Sequence, residues 1–299
     1  MYSELFDFLP RERIRINEPM KDHSSFKIGG PVDILVLPES VEEIQRTIHY
    51  CREKDIPYFI FGLGSNLLVR DKGIRGVAIK VGNNLRNFSI FNEEIFAEAG
   101  VRLAELSQAA ADYNLGGLEF AEGIPGSLGG AVVMNAGAYG GEMKDVLKEV
   151  RAITPDGKLS SFKPEEMKLR YRGSIFQEEE LIVVSALMQL RREKAEDIRA
   201  RMQDFAKRRR EKQPLEYPSA GSTFRRPSGF FVGPMIEEMG LKGFKVGGAE
   251  VSRKHAGFII NTGNASASEV LELIAIVKAK AKEHYGIELE TEIKVVGEE

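Results

Sequence analysis

One glycine-rich stretch decides the fold of this chain: Gly123-Ile-Pro-Gly-Ser-Leu-Gly-Gly-Ala-Val-Val-Met-Asn-Ala-Gly-Ala-Tyr-Gly-Gly-Glu142. Seven of its twenty residues are glycine, and strand-like segments flank it. Glycine tolerates a positive φ and lets another group approach the backbone closely, and exposed N–H groups in such a loop bind phosphate. The stretch therefore predicts the seat of a cofactor, although glycine-rich turns also join strands that bind no ligand. We call it the second glycine-rich loop.

Length and charge narrow the class of protein. The 299 residues, 42% of them hydrophobic, are enough for about two domains with real cores. A formal charge of -3 and a pI near 6.0 argue against a nucleic-acid binder, which normally has a net basic domain. Apolar runs such as Leu181–Met188 are far shorter than the roughly 20 residues that span a bilayer, and the N-terminus has no signal-peptide pattern. We expect a cytoplasmic globular protein, monomeric or weakly oligomeric, without membrane insertion.

The sequence lacks the motifs of several enzyme classes. Cys51 is the only cysteine, which excludes an intramolecular disulfide and a cysteine-rich metal site, and it lies on the apolar stripe of a predicted helix. No serine lies in a Gly-x-Ser-x-Gly motif, and the histidines form no His-Glu-x-x-His motif. These absences argue against a triad hydrolase and a zinc enzyme, and we expect no metal.

The chain begins with a β-α-β pattern. Val32–Leu37 and Pro57–Phe61 read as strands, and the capping box Ser40-Val-Glu-Glu43 opens the helix between them. The second strand ends in Gly62-Leu-Gly-Ser-Asn66, which we call the first glycine-rich loop. The carboxyl end of a strand is the usual place for a ligand in open α/β sheets. We assign residues 1–80 to a first lobe.

Two further segments follow. Short strands and one helix, Arg102–Tyr113, define a second lobe over residues 81–200. A charged helix, Glu193–Lys212, leads to a third segment, residues 201–286, in which Ser266 begins another capping box. The alternating pattern of Ile287–Val296 predicts a strand, and residues 287–299 are assigned to the first lobe.

The first glycine-rich loop matches neither standard nucleotide fingerprint. It lacks the third glycine of Gly-x-Gly-x-x-Gly and the Gly-Lys-Ser/Thr of a P-loop. Taken together, however, Gly62–Val69 and Gly123–Gly130 resemble the two loops that cradle FAD in vanillyl-alcohol-oxidase-like flavoproteins. The string Gly126–Gly140 resembles one family among these, the UDP-N-acetylenolpyruvoylglucosamine reductases. The match extends from end to end through four more segments: His23–Gly30, Tyr171–Phe176, Ala220–Pro227 and Glu290–Ile293.

This resemblance implies an α+β fold with a two-lobed FAD-binding domain of vanillyl-alcohol-oxidase type and a C-terminal α+β substrate-binding domain. It implies that NADPH reduces FAD, and that FAD then reduces UDP-N-acetylglucosamine enolpyruvate to UDP-N-acetylmuramate in peptidoglycan precursor synthesis. The positions that match the family's cofactor-binding loops are Gly62, Leu63, Gly64, Ser65, Asn66, Leu67, Gly126, Ser127, Gly129, Gly130, Asn135, Ala138, Tyr139 and Gly140.

The resemblance also implies three catalytic residues. Arg172 would hold the substrate carboxylate and stabilise the charge that develops on it, because a guanidinium offers a planar fork of donors. Ser222 would donate the proton, and Glu292 would polarise the carboxylate or assist protonation. Strand alternation places Glu290 and Glu292 on the same face, so spacing alone does not choose between them, and the family match selects Glu292.

The resemblance adds substrate contacts from Tyr171, Lys212 and Arg226, besides the three catalytic residues. Lys212 ends a basic run at a helix C-terminus, where such residues are also typical of a solvated helix end. Arg226 stands where the other subgroup of the family has an asparagine, and this chain resembles the shorter subgroup, which lacks an inserted loop over the substrate. His255 is left outside the site.

Two other functions stay open at this point. A related flavoenzyme acting on an alcohol or a lactone would share the glycine-rich loops. A non-catalytic protein that binds a nucleotide sugar or a flavin would keep the loops but would not need Arg172, Ser222 and Glu292 together. Reduction of the flavin by NADPH and its reoxidation by an enolpyruvate distinguish these alternatives.

Overall fold

The structure is a computed structural model that describes residues 2–82 and 84–299. Helices and strands are mixed along the chain, which confirms the α+β class. The α-helices are α1 (Val41–Glu53), α2 (Leu103–Asp112), α3 (Leu128–Val133), α4 (Ile175–Glu178), α5 (Ala195–Lys212), α6 (Val232–Glu238) and α7 (Ala267–Tyr285). The strands are β1 (Ile14–Pro19), β2 (Pro31–Val36), β3 (Tyr58–Phe61), β4 (Leu67–Val69), β5 (Ile74–Lys80), β6 (Phe88–Phe91), β7 (Glu94–Glu98), β8 (Leu115–Gly116), β9 (Gly137–Ala138), β10 (Gly141–Glu142), β11 (Leu147–Ile153), β12 (Leu159–Phe162), β13 (Ile182–Gln189), β14 (Arg191–Arg192), β15 (Ser219–Ser222), β16 (Lys245–Val246), β17 (Ala249–Val251), β18 (Phe258–Asn261) and β19 (Lys294–Val296). None of the helices in the described ranges has the length and apolar character needed to cross a bilayer.

The chain folds into two compact units, each with its own hydrophobic core. The first unit contains the residues through Arg15, Ile34–Leu63 and Val77–Arg209, and the second contains Ile16–Asp33, Gly64–Gly76 and Arg210–Glu299. Both units are assembled from segments far apart in sequence. The division into residues 1–80 with 287–299, 81–200 and 201–286 stays a prediction.

The first unit is built on a five-stranded antiparallel sheet of order β12-β11-β13-β7-β6. Helix α3, which begins inside the second glycine-rich loop, packs on the central strand β13 of this sheet. Leu128 and Val132 of α3 are fully buried. Burial of these side chains fixes the start of the loop on a rigid sheet.

Local signals explain where the longer helices begin and end. Ser40 Oγ accepts the backbone N–H of Glu43 at 3.1 Å and caps α1. The complete capping box of Ser266 and Glu269 begins α7, and Gly286 ends it with φ 67. Such caps satisfy backbone groups that a helix leaves unbonded at its ends, so these helix boundaries could be predicted from sequence.

The second unit contains a four-stranded antiparallel sheet of order β15-β18-β17-β16. The predicted strand Ile287–Val296 is a strand only over Lys294–Val296, where β19 pairs in parallel with β4. The preceding residues bond elsewhere: Arg225 donates its backbone N–H to the Glu290 carbonyl at 2.9 Å. The segment therefore changes partners along its length, and no single ladder forms.

Cys51 lies on the buried face of α1 with no exposed surface. Burial raises the pKa of its thiol to about 12, and the thiolate is the reactive form. We therefore expect no reaction of the native protein with a chromogenic disulfide reagent, and one reacting thiol per chain after denaturation. Rapid modification of the native protein would contradict this burial.

Candidate active site

The two glycine-rich loops touch one another in the first unit. A Cβ on Gly62 would lie 2.5 Å from Ser127 Oγ, and Ser127 is buried. Gly129 donates its backbone N–H to the Ala99 carbonyl at 2.8 Å, and a Cβ on Gly129 would lie 2.9 Å from the Ala99 Cβ. A Cβ on Gly62 would require Ser127 Oγ to rotate away, whereas the Ala99 Cβ cannot move without its backbone, so glycine is needed at position 129.

The end of the second glycine-rich loop is a short antiparallel hairpin of β9 and β10. A Cβ on Gly137 would lie 2.6 Å from the Gly141 carbonyl oxygen, and a Cβ on Gly141 would lie 2.7 Å from the Phe120 ring. Gly140, between the strands, has φ +89 with open space where its Cβ would be. Here glycine serves the backbone conformation, and the backbone is left uncovered.

Asn135 joins this loop to the segment that carries Arg172. Its side chain is buried, and its amide Nδ2 donates to Glu142 Oε2 at 2.6 Å and to the Arg170 carbonyl at 3.2 Å. Its Oδ1 accepts the backbone N–H of Lys144 at 2.9 Å. The amide is thus occupied by protein groups, and it fixes the Arg172 segment against the loop.

Arg172 lies in a tight hairpin. Arg170 and Gly173 exchange two backbone hydrogen bonds of 3.0 and 3.1 Å across it. Arg172 has φ 53, a conformation that costs on the order of 1 kcal/mol at a non-glycine residue and is frequent at functional sites. Its guanidinium carbon lies 5.2 Å from the ring centroid of Tyr171, which is exposed.

In the second unit, Ser25 links the first glycine-rich loop to β15. Its hydroxyl donates to the Ser219 carbonyl at 2.7 Å and lies 3.3 Å from the Ser65 carbonyl oxygen. Gly64 has φ +69, and a Cβ there would clash with the His23 carbonyl. The His23–Gly30 motif therefore supports this loop and the strand that ends at Ser222.

Ser222 and Glu292 lie on adjoining segments of the second unit. The backbone N–H of Glu292 donates to the Thr223 carbonyl at 2.8 Å, and the amide of Asn66 donates to the Glu292 carbonyl at 3.0 Å. The Ser222 hydroxyl donates to the Phe224 carbonyl at 3.2 Å. Both candidate catalytic residues are half-buried, and Asn66 of the first glycine-rich loop contacts one of them.

Glu290 and Glu292, which strand alternation does not distinguish, have different surroundings. Glu290 is exposed, and its carboxylate lies 3.5 Å from a guanidinium nitrogen of Arg225. Glu292 is half-buried between Thr223 and Asn66. A half-buried carboxylate is less screened by solvent and exerts a stronger field on a neighbouring ligand, which favours Glu292.

Asn66→Ala should slow the reaction of the bound, reduced flavin with substrate. The change removes the hydrogen bond that holds the Glu292 carbonyl, worth roughly 0.5–1.5 kcal/mol, and we expect the reoxidation of reduced flavin by substrate to slow by about 3- to 10-fold. Stopped-flow absorbance measures this rate. The Asn87→Ala variant, at an exposed position, is the control. An unchanged reoxidation rate of the bound flavin would contradict this role of the side chain.

The other predicted substrate residues lie in the second unit. Lys212 ends α5 and is exposed. The guanidinium carbon of Arg226 lies 3.8 Å from the ring centroid of Phe231, and its Nε donates to the Phe230 carbonyl at 3.2 Å. A cationic side chain is attracted to the face of an aromatic ring, and this attraction restricts the direction in which the side chain points. Arg226 is therefore held by its own loop.

His255 lies in the same unit as Lys212. Its Nδ1 accepts the backbone N–H of Gly257 at 3.0 Å, so the neutral ring carries its proton on Nε2. Burial lowers the pKa of His255, and the positive charges of Lys212 and Lys242 act in the same direction. The imidazole is neutral near pH 7.

The structure thus gathers the predicted residues into two groups. In the first unit, the second glycine-rich loop is contacted by Gly62 at Ser127 and by the Arg172 hairpin at Asn135. In the second unit, Ser222, Glu292 and Asn66 lie together. Three of the remaining predicted cofactor residues lie in regular elements: Leu67 in β4, Gly130 in α3 and Ala138 in β9. The Leu63 side chain borders Gly82. The carbonyl of Gly126 accepts the Leu103 N–H at 3.0 Å.

Sequence reasoning missed Ser25 and Arg209. Arg209 donates to the Gly123 carbonyl, and Phe205 stacks on Tyr139 with ring centroids 4.6 Å apart. A signal for Arg209 existed: Ile198, Met202, Phe205 and Arg209 follow one another at helical spacing on α5. An arginine on an apolar stripe predicts a buried role.

The residues present fit FAD. A Cβ on Gly129, Gly137 or Gly141 would collide with its neighbours, while the backbone at Gly140 is open. Loops of this kind present backbone N–H groups to a diphosphate. Within residues 2–82 and 84–299, no group of three or more histidine, cysteine or acidic side chains is arranged to hold a metal ion.

Comparison with known families assigns both parts of the chain. Residues 213–296 match the model of the UDP-N-acetylenolpyruvoylglucosamine reductase C-terminal domain. Residues 32–163 match the model of an FAD binding domain. Together these matches cover more than half of the chain, and they confirm the predicted pairing of an FAD-binding domain with a second, C-terminal domain.

Individual proteins are similar over the whole length. The UDP-N-acetylenolpyruvoylglucosamine reductase of Syntrophomonas wolfei is 90% identical over 299 residues, 100% of both chains. That of Caldanaerobacter subterraneus is 51% identical over 298 residues, 100% of this chain and 98% of the relative. The crystal structure of the Thermus caldophilus reductase superposes with a TM-score of 0.81 at 36% identity, covering 94% of this chain and 97% of that one. The chain therefore belongs to the UDP-N-acetylenolpyruvoylglucosamine reductases, a family of FAD-dependent oxidoreductases.

Proposed function

We propose that this chain reduces UDP-N-acetylglucosamine enolpyruvate to UDP-N-acetylmuramate, with NADPH as reductant and FAD as carrier, and that Arg172, Ser222 and Glu292 carry the chemistry. Membership of the family supports the reaction. The observation that supports the residue assignment best is the 2.8 Å bond between the Glu292 N–H and the Thr223 carbonyl. It puts a half-buried carboxylate on the segment next to Ser222.

The reaction adds a hydride to the methylene carbon of the enolpyruvyl ether and a proton to the neighbouring carbon. FAD held by the two glycine-rich loops would carry the hydride from NADPH to the methylene carbon. As the methylene carbon gains hydride, electron density moves toward the carboxylate, and a fixed cation there lowers the barrier. Arg172 fits this role because the backbone that carries it is fixed in a tight hairpin and because Asn135 secures that hairpin.

Ser222 acts as the proton donor in this proposal. A serine hydroxyl has a high intrinsic pKa, so the resulting alkoxide needs nearby positive charge or bound water. In the structure the hydroxyl proton is directed to the Phe224 carbonyl at 3.2 Å, a long hydrogen bond. A weakly bonded hydroxyl of this kind can turn its proton toward a substrate carbon at little cost.

Glu292 and the remaining substrate residues orient the ligand. Glu292 polarises the substrate carboxylate or assists protonation, and Asn66 fixes its backbone. Lys212 offers a mobile ammonium to the diphosphate of the nucleotide sugar, and Arg226 a guanidinium held over Phe231. Tyr171 lies beside Arg172 and is exposed for contact with the substrate.

Steady-state turnover with product analysis tests the proposal. Oxidation of NADPH should depend on the enolpyruvate, and the product should carry one hydride and one proton more than the substrate, as seen by mass spectrometry. A reduced enzyme that consumes oxygen but leaves the enolpyruvate unchanged would instead indicate a related oxidase for an alcohol or a lactone.

We also infer a cytoplasmic location and a monomeric or weakly oligomeric state. NADPH and nucleotide sugars are cytoplasmic metabolites, and the proposed reaction needs both. Each unit has its own hydrophobic core. Analytical ultracentrifugation over a range of concentrations measures the state of association, and a stable dimer at low concentration would overturn that inference.

A further inference from the structure

Arg209 is a buried guanidinium with neutral partners. Only 8% of its surface is exposed, and within the described residues it donates to the Gly123 carbonyl and lies beside the Tyr139 phenol. Burial lowers the pKa of Arg209, and Tyr139 opposes that change, but an arginine stays protonated in proteins. The protein thus buries a full positive charge beside groups that carry none.

Other arginines of α5 are paired with carboxylates. Arg201 lies 2.6 Å from a carboxylate oxygen of Glu193 and also pairs with Glu119. Arg208, one residue before Arg209, pairs with Asp204 at 2.8 Å. Buried charges are expensive unless they are paired, so the neutral surroundings of Arg209 call for an anion that residues 2–82 and 84–299 do not provide.

Arg209 holds both ends of the second glycine-rich loop. Gly123 is the first residue of the loop, and a Cβ there would lie 2.7 Å from Arg209 Nε. Tyr139 is near its end, where it has φ 54 and stacks on Phe205 of the same helix. Helix α5 therefore grips the loop at two points, and the charge of Arg209 lies between them.

We propose that Arg209 is an FAD-binding residue whose positive charge is neutralised by the diphosphate of the dinucleotide held by the second glycine-rich loop. The proposal depends on FAD binding and not on the identity of the reduced substrate. A diphosphate is the anion that a glycine-rich loop takes, and a guanidinium is the side chain that binds phosphate oxygens with paired donors. NADP⁺ also has a diphosphate, so the experiment must distinguish the two dinucleotides.

The test is the stabilisation that each ligand confers on Arg209→Gln. A ligand that binds the folded state raises the unfolding temperature in proportion to the logarithm of its concentration over its dissociation constant. We expect the dissociation constant for FAD to rise by about 10- to 100-fold and the FAD-induced rise in unfolding temperature to shrink accordingly. A purely structural clamp would lower the unfolding temperatures of apoprotein and holoprotein equally and leave the FAD-induced rise unchanged, which would overturn the proposal.

Matched variants complete the experiment. Arg208→Gln removes the same charge from the exposed neighbouring position and should leave the FAD-induced rise unchanged, whereas Arg209→Lys keeps the charge and should restore most of it. The rise that NADP⁺ induces in FAD-reconstituted Arg209→Gln should equal that of the unaltered protein. A reduced NADP⁺ effect with a normal FAD effect would assign Arg209 to the other dinucleotide and contradict the proposal.

Discussion

Arg172→Lys is expected to slow the reoxidation of reduced FAD by the enolpyruvate by about 10²- to 10³-fold and to leave FAD bound. Lysine keeps the charge but loses the planar fork that grips a carboxylate with two parallel hydrogen bonds. The residue lies in a tight hairpin with φ 53. We therefore expect that the backbone cannot move to bring the lysine ammonium to the position of the guanidinium. Stopped-flow absorbance after anaerobic mixing of reduced enzyme with substrate measures the effect.

Arg170→Lys is the matched control for this prediction. Arg170 lies in the same hairpin, but its exposed guanidinium pairs with Glu178. The change leaves the backbone bonds to Gly173 in place, and we expect reoxidation within about 2-fold of the unaltered rate, as for surface ion pairs. If Arg172→Lys reoxidises as fast as this control, Arg172 is not the carboxylate-binding residue.

Ser222→Ala is expected to lower the same reoxidation rate by about 10²- to 10⁴-fold, the range for loss of a general acid. Reduction of FAD by NADPH should keep its rate, because that step needs no proton from Ser222. Within the part of the chain that the structure describes, the hydroxyl bonds to the nearby Phe224 carbonyl at 3.2 Å, and we expect the fold to tolerate the loss of this long bond. The two half-reactions are measured separately by stopped flow.

Ser219→Ala provides the comparison on the same strand. Ser219 contributes its backbone carbonyl to Ser25, and the substitution retains that carbonyl. Both half-reactions should therefore keep their rates in Ser219→Ala. Equal reoxidation by the two variants would remove Ser222 from the catalytic set, and another group would have to supply the proton.

Local signals account for the parts of the fold that were predictable. The capping box at Ser266 and the positive φ of Gly286 depend on residues within one helix, and both are visible in the sequence. The same holds for the β-α-β unit that begins with β2 and for the tight glycine positions of the two loops. The prediction of a continuous strand from Ile287 was wrong over most of its length. The partners of this segment, Thr223–Arg225 and then β4, come from distant parts of the sequence.

The contacts that hold the candidate site are long-range and left no trace in local patterns. Asn66 and Glu292 are 226 residues apart, and alternation could not separate Glu290 from Glu292. The cofactor contact of Asn135 stays a prediction from the resemblance, and the bonds of its amide to Arg170, Glu142 and Lys144 could not be predicted. Which distant segments meet depends on the packing of whole units, and a single sequence does not encode this in any one motif.

An anaerobic titration followed by flavin absorbance tests the proposed function most directly. NADPH should bleach the FAD band of the purified holoprotein, and UDP-N-acetylglucosamine enolpyruvate should then restore it with one equivalent of substrate per flavin. Bleaching without recovery would leave a flavin reductase and contradict the assigned substrate. A protein that binds no FAD even after reconstitution would contradict the assignment of both glycine-rich loops.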